Sequence, residues 1–293
     1  MDFLVQLFLK MQKNNFQVVD ENFRSLGSAV FPVGALLNHS CQPNCILMYQ
    51  YDAEALCFVQ HIRTLRRIAE GEELTHSYID SGLVTNDRQS RLYQQFEFIC
   101  SCSRCVRVSA SCPDQILQGV LTEAERLQLG GLGAVDLSVA NELYERASQE
   151  TSPEQRVRLF EECLQLRMRN LHRLSLPVFM IWCRLLDAYM DTDSITKATE
   201  ACERICECYE ESGMYCQSDI PGETFQHPMI GLQYFTLGDL LCHQCRLQKA
   251  STGQIDPLLL FRARKAYERA LVVLQISHGP QHPLVQNLQE QLL

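Results

Sequence analysis

Apolar and polar positions follow two different rhythms along the chain, and the change falls between Cys105 and Pro113. From Phe31 to Cys105 the apolar runs are short and interrupted by turn residues. Cys45–Tyr51 (CILMYQY) and Leu56–Leu65 are rich in β-branched and aromatic side chains. Asp52-Ala53-Glu54 separates them, which predicts two strands joined as a hairpin. Gly71 marks a turn, and Glu72–Tyr78 after it reads as a further extended run. From Pro113 onward the spacing lengthens: Ile195, Ala198, Cys202, Ile205 and Tyr209 recur at steps of three and four, as one apolar helix face requires. Asp256-Pro257 reads as a cap and first turn, and Gly279-Pro280 as a stop. The pattern predicts helices over about 115–130, 136–149, 153–170, 177–191, 194–212, 228–247 and 257–277, with a short one after His282. At the other end, Phe3, Leu4, Leu7, Phe8 and Met11 share a helical spacing within Met1–Lys13, which predicts a buried helix.

Composition narrows the classes. The hydrophobic fraction of 46% and charged fraction of 21% suit folded domains, and 293 residues suffice for two cores. A net charge of −9 argues against direct nucleic-acid binding, which needs clustered Lys and Arg, and favours basic partners such as Lys-rich protein segments. No run of 18 apolar residues is present, so no membrane span is expected, and the N-terminus lacks the basic start and cleavage site of a signal peptide. Fifteen cysteines without a secretion signal point to a reducing compartment, cytoplasm or nucleus. Cys163, Cys183, Cys202 and Cys206 fall in helical apolar patterns and read as small core hydrophobes. Alanine pairs such as Ala198/Ala201 and Ala266/Ala270 permit close helix packing of the tetratricopeptide (TPR) kind, so the helical region is read as a TPR-like array.

Three short stretches carry candidate chemistry. Cys100-Ser101-Cys102-Ser103-Arg104-Cys105 is a CxCxxC cluster, whose three thiolates can occupy three corners of a tetrahedron around Zn2+. The fourth ligand must come from elsewhere: Cys41 is the first candidate, with Cys45, Cys112 and His39 behind it. The second stretch is Asn38-His39-Ser40-Cys41-Gln42-Pro43-Asn44, and the third is Gly71-Glu72-Glu73-Leu74-Thr75-His76-Ser77-Tyr78.

In this order, NHSCxPN, GEELxxxY and CxCxxC resemble the C-terminal half of a SET domain with its post-SET zinc site. A helical tail behind them narrows the resemblance to the SET-and-MYND (SMYD) family of protein-lysine methyltransferases. The implied fold is α+β: a partial SET domain over 1–97, a post-SET zinc segment over 98–112, and an all-α TPR-like domain over 113–293. The implied activity is S-adenosylmethionine-dependent N-methylation of a lysine-bearing protein or peptide, with S-adenosylmethionine and Zn2+ as cofactors. Tyr78 matches the family's catalytic tyrosine. Asn38 and His39 match its cofactor-contacting pair, Phe98 its adenine-stacking aromatic, and Asn14 (with Asn15 as a rival) its earlier cofactor-contacting Asn. Cys41, Cys100, Cys102 and Cys105 match the zinc ligands. Complete members carry a Gly-rich cofactor segment and a MYND finger ahead of this region; neither pattern precedes Asn38 here, so the expectation is an N-terminally incomplete SET domain. From a different class comes the alternative of a zinc-stabilised interaction module without catalysis, holding a protein partner in its helical groove.

Other features read as structural. Cys242-His243-Gln244-Cys245 lies within the apolar pattern of Leu237, Leu240 and Leu241, and His227-Pro228 and His282-Pro283 stand at helix starts. Glu207, Glu210 and Glu211 form a solvated helix face, whose functional reading is recognition of a basic peptide. His76, two residues before Tyr78, reads as a packed histidine.

Overall fold

A computed structural model describes residues 3–106, 113–121, 124–125, 137–215 and 227–292. The chain forms two compact units: Met1–Arg107 with Tyr215–Pro228 and Leu271–Leu293, and Val108–Met214 with Met229–Ala270. This division differs from a single cut near Pro113, because the C-terminal residues join the first unit.

The first unit opens with helix α1 (Phe3–Asn14) and an antiparallel pair, β1 (Asn15–Val19) and β2 (Ser25–Val30). The Asp20 carboxylate accepts the backbone N–H groups of Asn22 and Arg24 at 2.9 and 2.8 Å and so ties the turn between the strands. A two-residue strand, β3 (Asn38–His39), pairs in parallel with β6 (Thr75–His76). Between them lies the expected hairpin, β4 (Cys45–Asp52) and β5 (Cys57–Thr64), in antiparallel register from Cys45↔Thr64 to Asp52↔Cys57. Its turn is built by Asp52, whose Oδ1 accepts from the N–H groups of Glu54 and Ala55 at 2.9 and 3.0 Å. Helices α2 (Thr85–Phe96) and α3 (Ser103–Val106) follow. The distant C-terminal segment is held by backbone-directed bonds: Arg63 Nε donates to the Ile276 carbonyl at 2.8 Å, and His278 Nε2 meets the Glu21 carbonyl at 3.1 Å.

The second unit contains α4 (Pro113–Gln118), α5 (Leu137–Gln149), α6 (Pro153–Asn170), α7 (Leu176–Asp191) and α8 (Ile195–Glu211). From α5 to α8 each helix packs against the next, whereas α4 packs against α7. They are joined by most of α9 (Pro228–Thr252) and the first part of α10 (Pro257–Ser277); α11 (Pro283–Leu292) lies in the first unit. Their core includes Phe160, Ile181, Leu185, Cys202, Leu241 and Ala263, all nearly inaccessible to solvent. Ser152 caps α6 by accepting the Gln155 N–H, Pro153 fills the first turn, and Asp256 Oδ1 caps α10 by accepting from Leu258 at 2.8 Å. Among the described residues no helix is long and apolar enough to cross a membrane.

Three expectations are corrected. The helix expected to be buried at the N-terminus forms, but Phe3, Leu4 and Phe8 are each more than half exposed. Spacing determines which side chains share a face, not whether another surface lies against it. The helix expected over 115–130 stops at Gln118. Gly119 there takes φ +89, its carbonyl accepts the His172 N–H, and a Cβ would lie 2.7 Å from Leu171 Cδ2. Further along that expectation residues 124–125 are again helical, and residues 122–123 and 126–130 lie outside the described residues. The extended run Glu72–Tyr78 shrinks to Thr75–His76, because its partner strand is itself only two residues long.

Helices α9 and α10 meet closely at Gly238, where a Cβ would stand 2.4 Å from Tyr267 Cε1. The ring is not free to withdraw, since Tyr267 Oη donates to Asp239 Oδ1 at 2.6 Å. Gly238→Ala is therefore expected to destabilise the second unit by about 2 kcal/mol through overpacking, despite its better helix propensity. Urea unfolding compares it with the unsubstituted chain; an unchanged or raised midpoint would disprove this packing account.

Candidate metal centre and tyrosine site

The CxCxxC segment is shaped by its own backbone. Glu97, in the left-handed region at φ 64, ends α2 and redirects the chain toward Phe98. The Cys102 carbonyl accepts the N–H groups of Cys105 and Val106 at 2.9 and 3.1 Å, a single helical turn that sets two thiols side by side. Gln89 brackets Cys100 by accepting its N–H and donating to its carbonyl, both at 2.8 Å. Cys41 arrives from the loop after β3. The sulfurs of Cys41, Cys100, Cys102 and Cys105 all lie within 4.8 Å of one another, with Cys105 and Cys41 Sγ 3.5 Å apart. A tetrathiolate with Zn–S bonds of about 2.3 Å has edges of about 3.8 Å, so the set fits a tetrahedral metal. Of the other candidates for the fourth ligand, Cys45 is buried in β4 outside the cluster, and Cys112 lies outside the described residues.

Protonation carries the same message. Bonds to its neighbours, Cys100 first, push the Cys41 thiol far up, whereas Cys100, bonded to Cys102 and then Cys105, is held far down. Four clustered sulfurs cannot each keep a proton comfortably, and a cation resolves the conflict by binding all four as thiolates. Such a centre has a net charge of −2, and Arg88, wholly buried, directs Nη2 to Cys105 Sγ at 3.7 Å. That guanidinium is also held by the Leu83 carbonyl and the Thr85 hydroxyl, so its charge is fixed beside the sulfurs.

Tyr78 stands on the same cluster. Its ring centroid is 5.3 Å from His39, 4.8 Å from His76, 5.0 Å from Phe96 and 6.4 Å from Phe98; His39 and Phe98 are 5.9 Å apart. The hydroxyl donates to the Leu37 carbonyl at 2.7 Å, and the Tyr78 N–H donates to His39 Nδ1 at 3.0 Å. Burial, with the Glu73 carboxylate as a smaller cause, raises the phenol's pKa, so Tyr78 stays protonated at neutral pH. Burial lowers the His76 pKa to about 4, which makes it a neutral packed ring, as its place under Phe16 and Tyr78 requires.

The expected residues are thus only partly gathered. Tyr78, His39, Phe98 and the four cysteines converge. Asn38, exposed on β3, gives its amide to Glu73 Oε1 at 2.6 Å. Asn14 gives its own to the Lys10 carbonyl within α1, and Phe16 rather than Asn14 reaches the aromatic cluster. Sequence reasoning missed Phe96, Arg88 and Gln89, and missed the work of Asn44. Asn44 donates to Glu72 Oε1 and the Glu73 carbonyl at 2.9 and 2.8 Å and accepts from Thr75 N–H at 2.8 Å, clasping the GEEL stretch to the NHSC loop. Its position three residues after Cys41 in NHSCQPN was the available signal.

Residues 6–79 match the family model of the SET domain. The chain carries a SET domain. Beyond it, similarity to SMYD-type methyltransferases runs through 99% of the chain, so the helical units belong to the likeness as well as the SET residues. Histone-lysine N-methyltransferase ASHR1 of Arabidopsis thaliana is 24% identical and N-lysine methyltransferase SMYD2 of Homo sapiens 25%, each matched over 60% of its own length. Histone-lysine N-methyltransferase Smyd1 of Mus musculus is 26% identical over 56% of its length. The chain therefore spans about three-fifths of these relatives.

The remaining features are structural. Cys245 is buried in α9 beside Leu241, and Cys202, Cys206 and Cys208 are buried in α8. Proline opens α9 and α11 behind His227 and His282. The acidic face of α8 is laced with ion pairs: Glu207 with Arg204 and Glu210 with Arg269, each at 2.8 Å, and Glu211 with Arg173.

Proposed function

We propose that the chain carries the tyrosine site of an S-adenosylmethionine-dependent protein-lysine N-methyltransferase, acting on a lysine-bearing protein or peptide. The observation that carries the reading is the convergence of Tyr78, His39 and Phe98 on the Cys41–Cys105 sulfur cluster. Zn2+ would be held by Cys41, Cys100, Cys102 and Cys105, where it fixes the Leu37–Cys41 and Phe98–Cys105 segments together. The half-buried Phe98 ring, 5.9 Å from His39, offers the stacking face that a purine nucleoside needs, and Asn38, whose amide is given to Glu73, is the polar cofactor contact expected from the resemblance. Asn14 is the further cofactor contact expected from the resemblance. S-adenosylmethionine, when bound, supplies a methyl group on a positively charged sulfur.

Tyr78 gives its hydrogen to the Leu37 carbonyl, which leaves the phenol oxygen's lone pairs free to accept an N–H of the incoming lysine amine. An amine held by its N–H turns its own lone pair in a fixed direction, and such orientation accounts for much of the rate of an in-line displacement. Because its pKa is raised, Tyr78 orients the amine rather than deprotonating it. The helical unit, read as TPR-like, would serve a protein partner. The tetrathiolate and buried thiols such as Cys163 and Cys202 need reduced sulfur, which supports the cytoplasm or nucleus.

Tyr78→Phe is expected to lower lysine methylation by about 100-fold or more. A variant with full activity would remove Tyr78 from the mechanism. Calorimetric titration with S-adenosylhomocysteine is expected to give saturable heat. Its absence would favour the zinc-stabilised interaction module instead.

A further inference from the structure

His39 touches both halves of the site with opposite edges of one ring. Its Nδ1 accepts the Tyr78 backbone N–H at 3.0 Å. A backbone N–H can only donate, so Nδ1 carries no hydrogen and the ring's hydrogen is on Nε2. Nε2 lies 3.2 Å from Cys41 Sγ, within reach of an N–H···S bond, so His39 faces the centre as a donor and not as a ligand. The backbone repeats the connection, since β3 pairs His39 with His76 and the Ser40 N–H donates to the His76 carbonyl at 3.1 Å. Leu37, two residues before His39, receives the Tyr78 hydroxyl.

We propose that His39 is a positioning residue that couples metal occupancy at the four sulfurs to the placement of Tyr78. A metal-bound thiolate can only accept, so it fixes the hydrogen on Nε2 and leaves Nδ1 free to hold the Tyr78 N–H. Without the metal, Cys41 Sγ is no longer held at one point, so the Nε2–Sγ contact that fixes the ring, and with it the Nδ1 acceptor of the Tyr78 N–H, is no longer pinned. The tyrosine strand then loses an anchor when the metal leaves. The metal is then more than a staple for the Phe98–Cys105 segment: it sets the hydrogen-bond polarity that locates the phenol. This inference rests on the metal assignment, and only the role of Tyr78 in methyl transfer comes from the proposed function.

The test uses the full chain loaded with 113Cd and labelled with 15N on its histidines and tyrosines. Expected are a single tetrathiolate cadmium resonance, a coupling from one histidine N–H to that metal, and an Nδ1 shift typical of an unprotonated nitrogen. His39→Gln keeps a donor but lacks the second ring nitrogen. It is expected to retain one metal per chain with about tenfold weaker affinity, and to shift the Tyr78 amide, identified by its loss in Tyr78→Phe. Chelation of the metal from the unsubstituted chain should move the same amide. An unmoved Tyr78 amide in both His39→Gln and the chelated chain, or failure to take up the metal at all, would overturn the coupling. Titration of the same samples with S-adenosylhomocysteine separates the two readings, because missing heat alongside an intact histidine–cadmium coupling counts against the methyltransferase and not against the relay.

Discussion

A chain carrying Cys102→Ser is expected to bind no zinc, where the unsubstituted chain binds one, and its first unit is expected to lose on the order of 5 kcal/mol of stability. The size follows from how little else holds the site together. Strands β3 and β6 are two residues each, and the buried apolar cluster around the sulfurs consists of Cys41, Leu92 and Cys100 with partly buried neighbours such as Tyr78, Phe96 and Phe98. Two of those three buried residues, Cys41 and Cys100, belong to the four-sulfur cluster itself. Removing one thiolate leaves three sulfurs beside the fixed charge of Arg88, and leaves Phe98 without the tether that sets it against His39. Cys45→Ser is the matching control: Cys45 is more deeply buried than Cys102 but lies in the hairpin, outside the cluster, so its variant keeps the metal. Metal content by elemental analysis, and hydrogen exchange of residues 98–106, report both parts. One zinc retained by Cys102→Ser, or one lost by Cys45→Ser, would refute the ligand set.

The gathering of these sulfurs was largely legible in the sequence, and the reason is local. Three cysteines within six residues leave metal binding as the economical use of so many thiols, and the family resemblance and the observed geometry agree on Cys41 as the fourth. The hairpin was legible for the same kind of reason, because alternation over Cys45–Asp52 and Cys57–Thr64 and an Asp-led turn are written in consecutive residues. What stayed hidden depends on distant partners. Arg88 looks like any helix arginine until α2 brings it to Cys105, and His39 gives no hint that one ring will serve a sulfur and a strand N–H together. Likewise the helical rhythm of α10 runs unbroken through Ala270, although the residues after it belong with β5 and the β1–β2 turn. Periodicity describes one element at a time, and it misplaced α1 by the same limitation, supplying an apolar stripe but no surface to cover it.

The same C-terminal segment carries a pH dependence that can be worked out in sign and size. His278 is 8% exposed, bonded to the Glu21 carbonyl and, through Nδ1, to the Ser277 hydroxyl. Burial is the largest cause that lowers its pKa from 6.5 to about 4, and the neighbouring His282 ring, 4.9 Å away, together with Arg63, adds to it against the raising effect of Glu21. Between these two values the folded chain binds fewer protons at this site than the unfolded chain. Stability from the neutral ring is therefore complete above about pH 6.5 and is lost as the pH falls toward 4. The full loss amounts to about 3 kcal/mol. Acid also releases metal from thiolates, so the absolute decline mixes two causes. The informative quantity is the difference between the unsubstituted chain and His278→Gln, which cannot titrate but leaves the sulfur cluster untouched. Urea unfolding at pH 7 and pH 4.5 should show the variant losing about 2 to 3 kcal/mol less than the parent over that interval. Equal losses would mean that His278 takes up its proton as readily in the folded chain as in the unfolded one, and that the bond to Glu21 tolerates the charge.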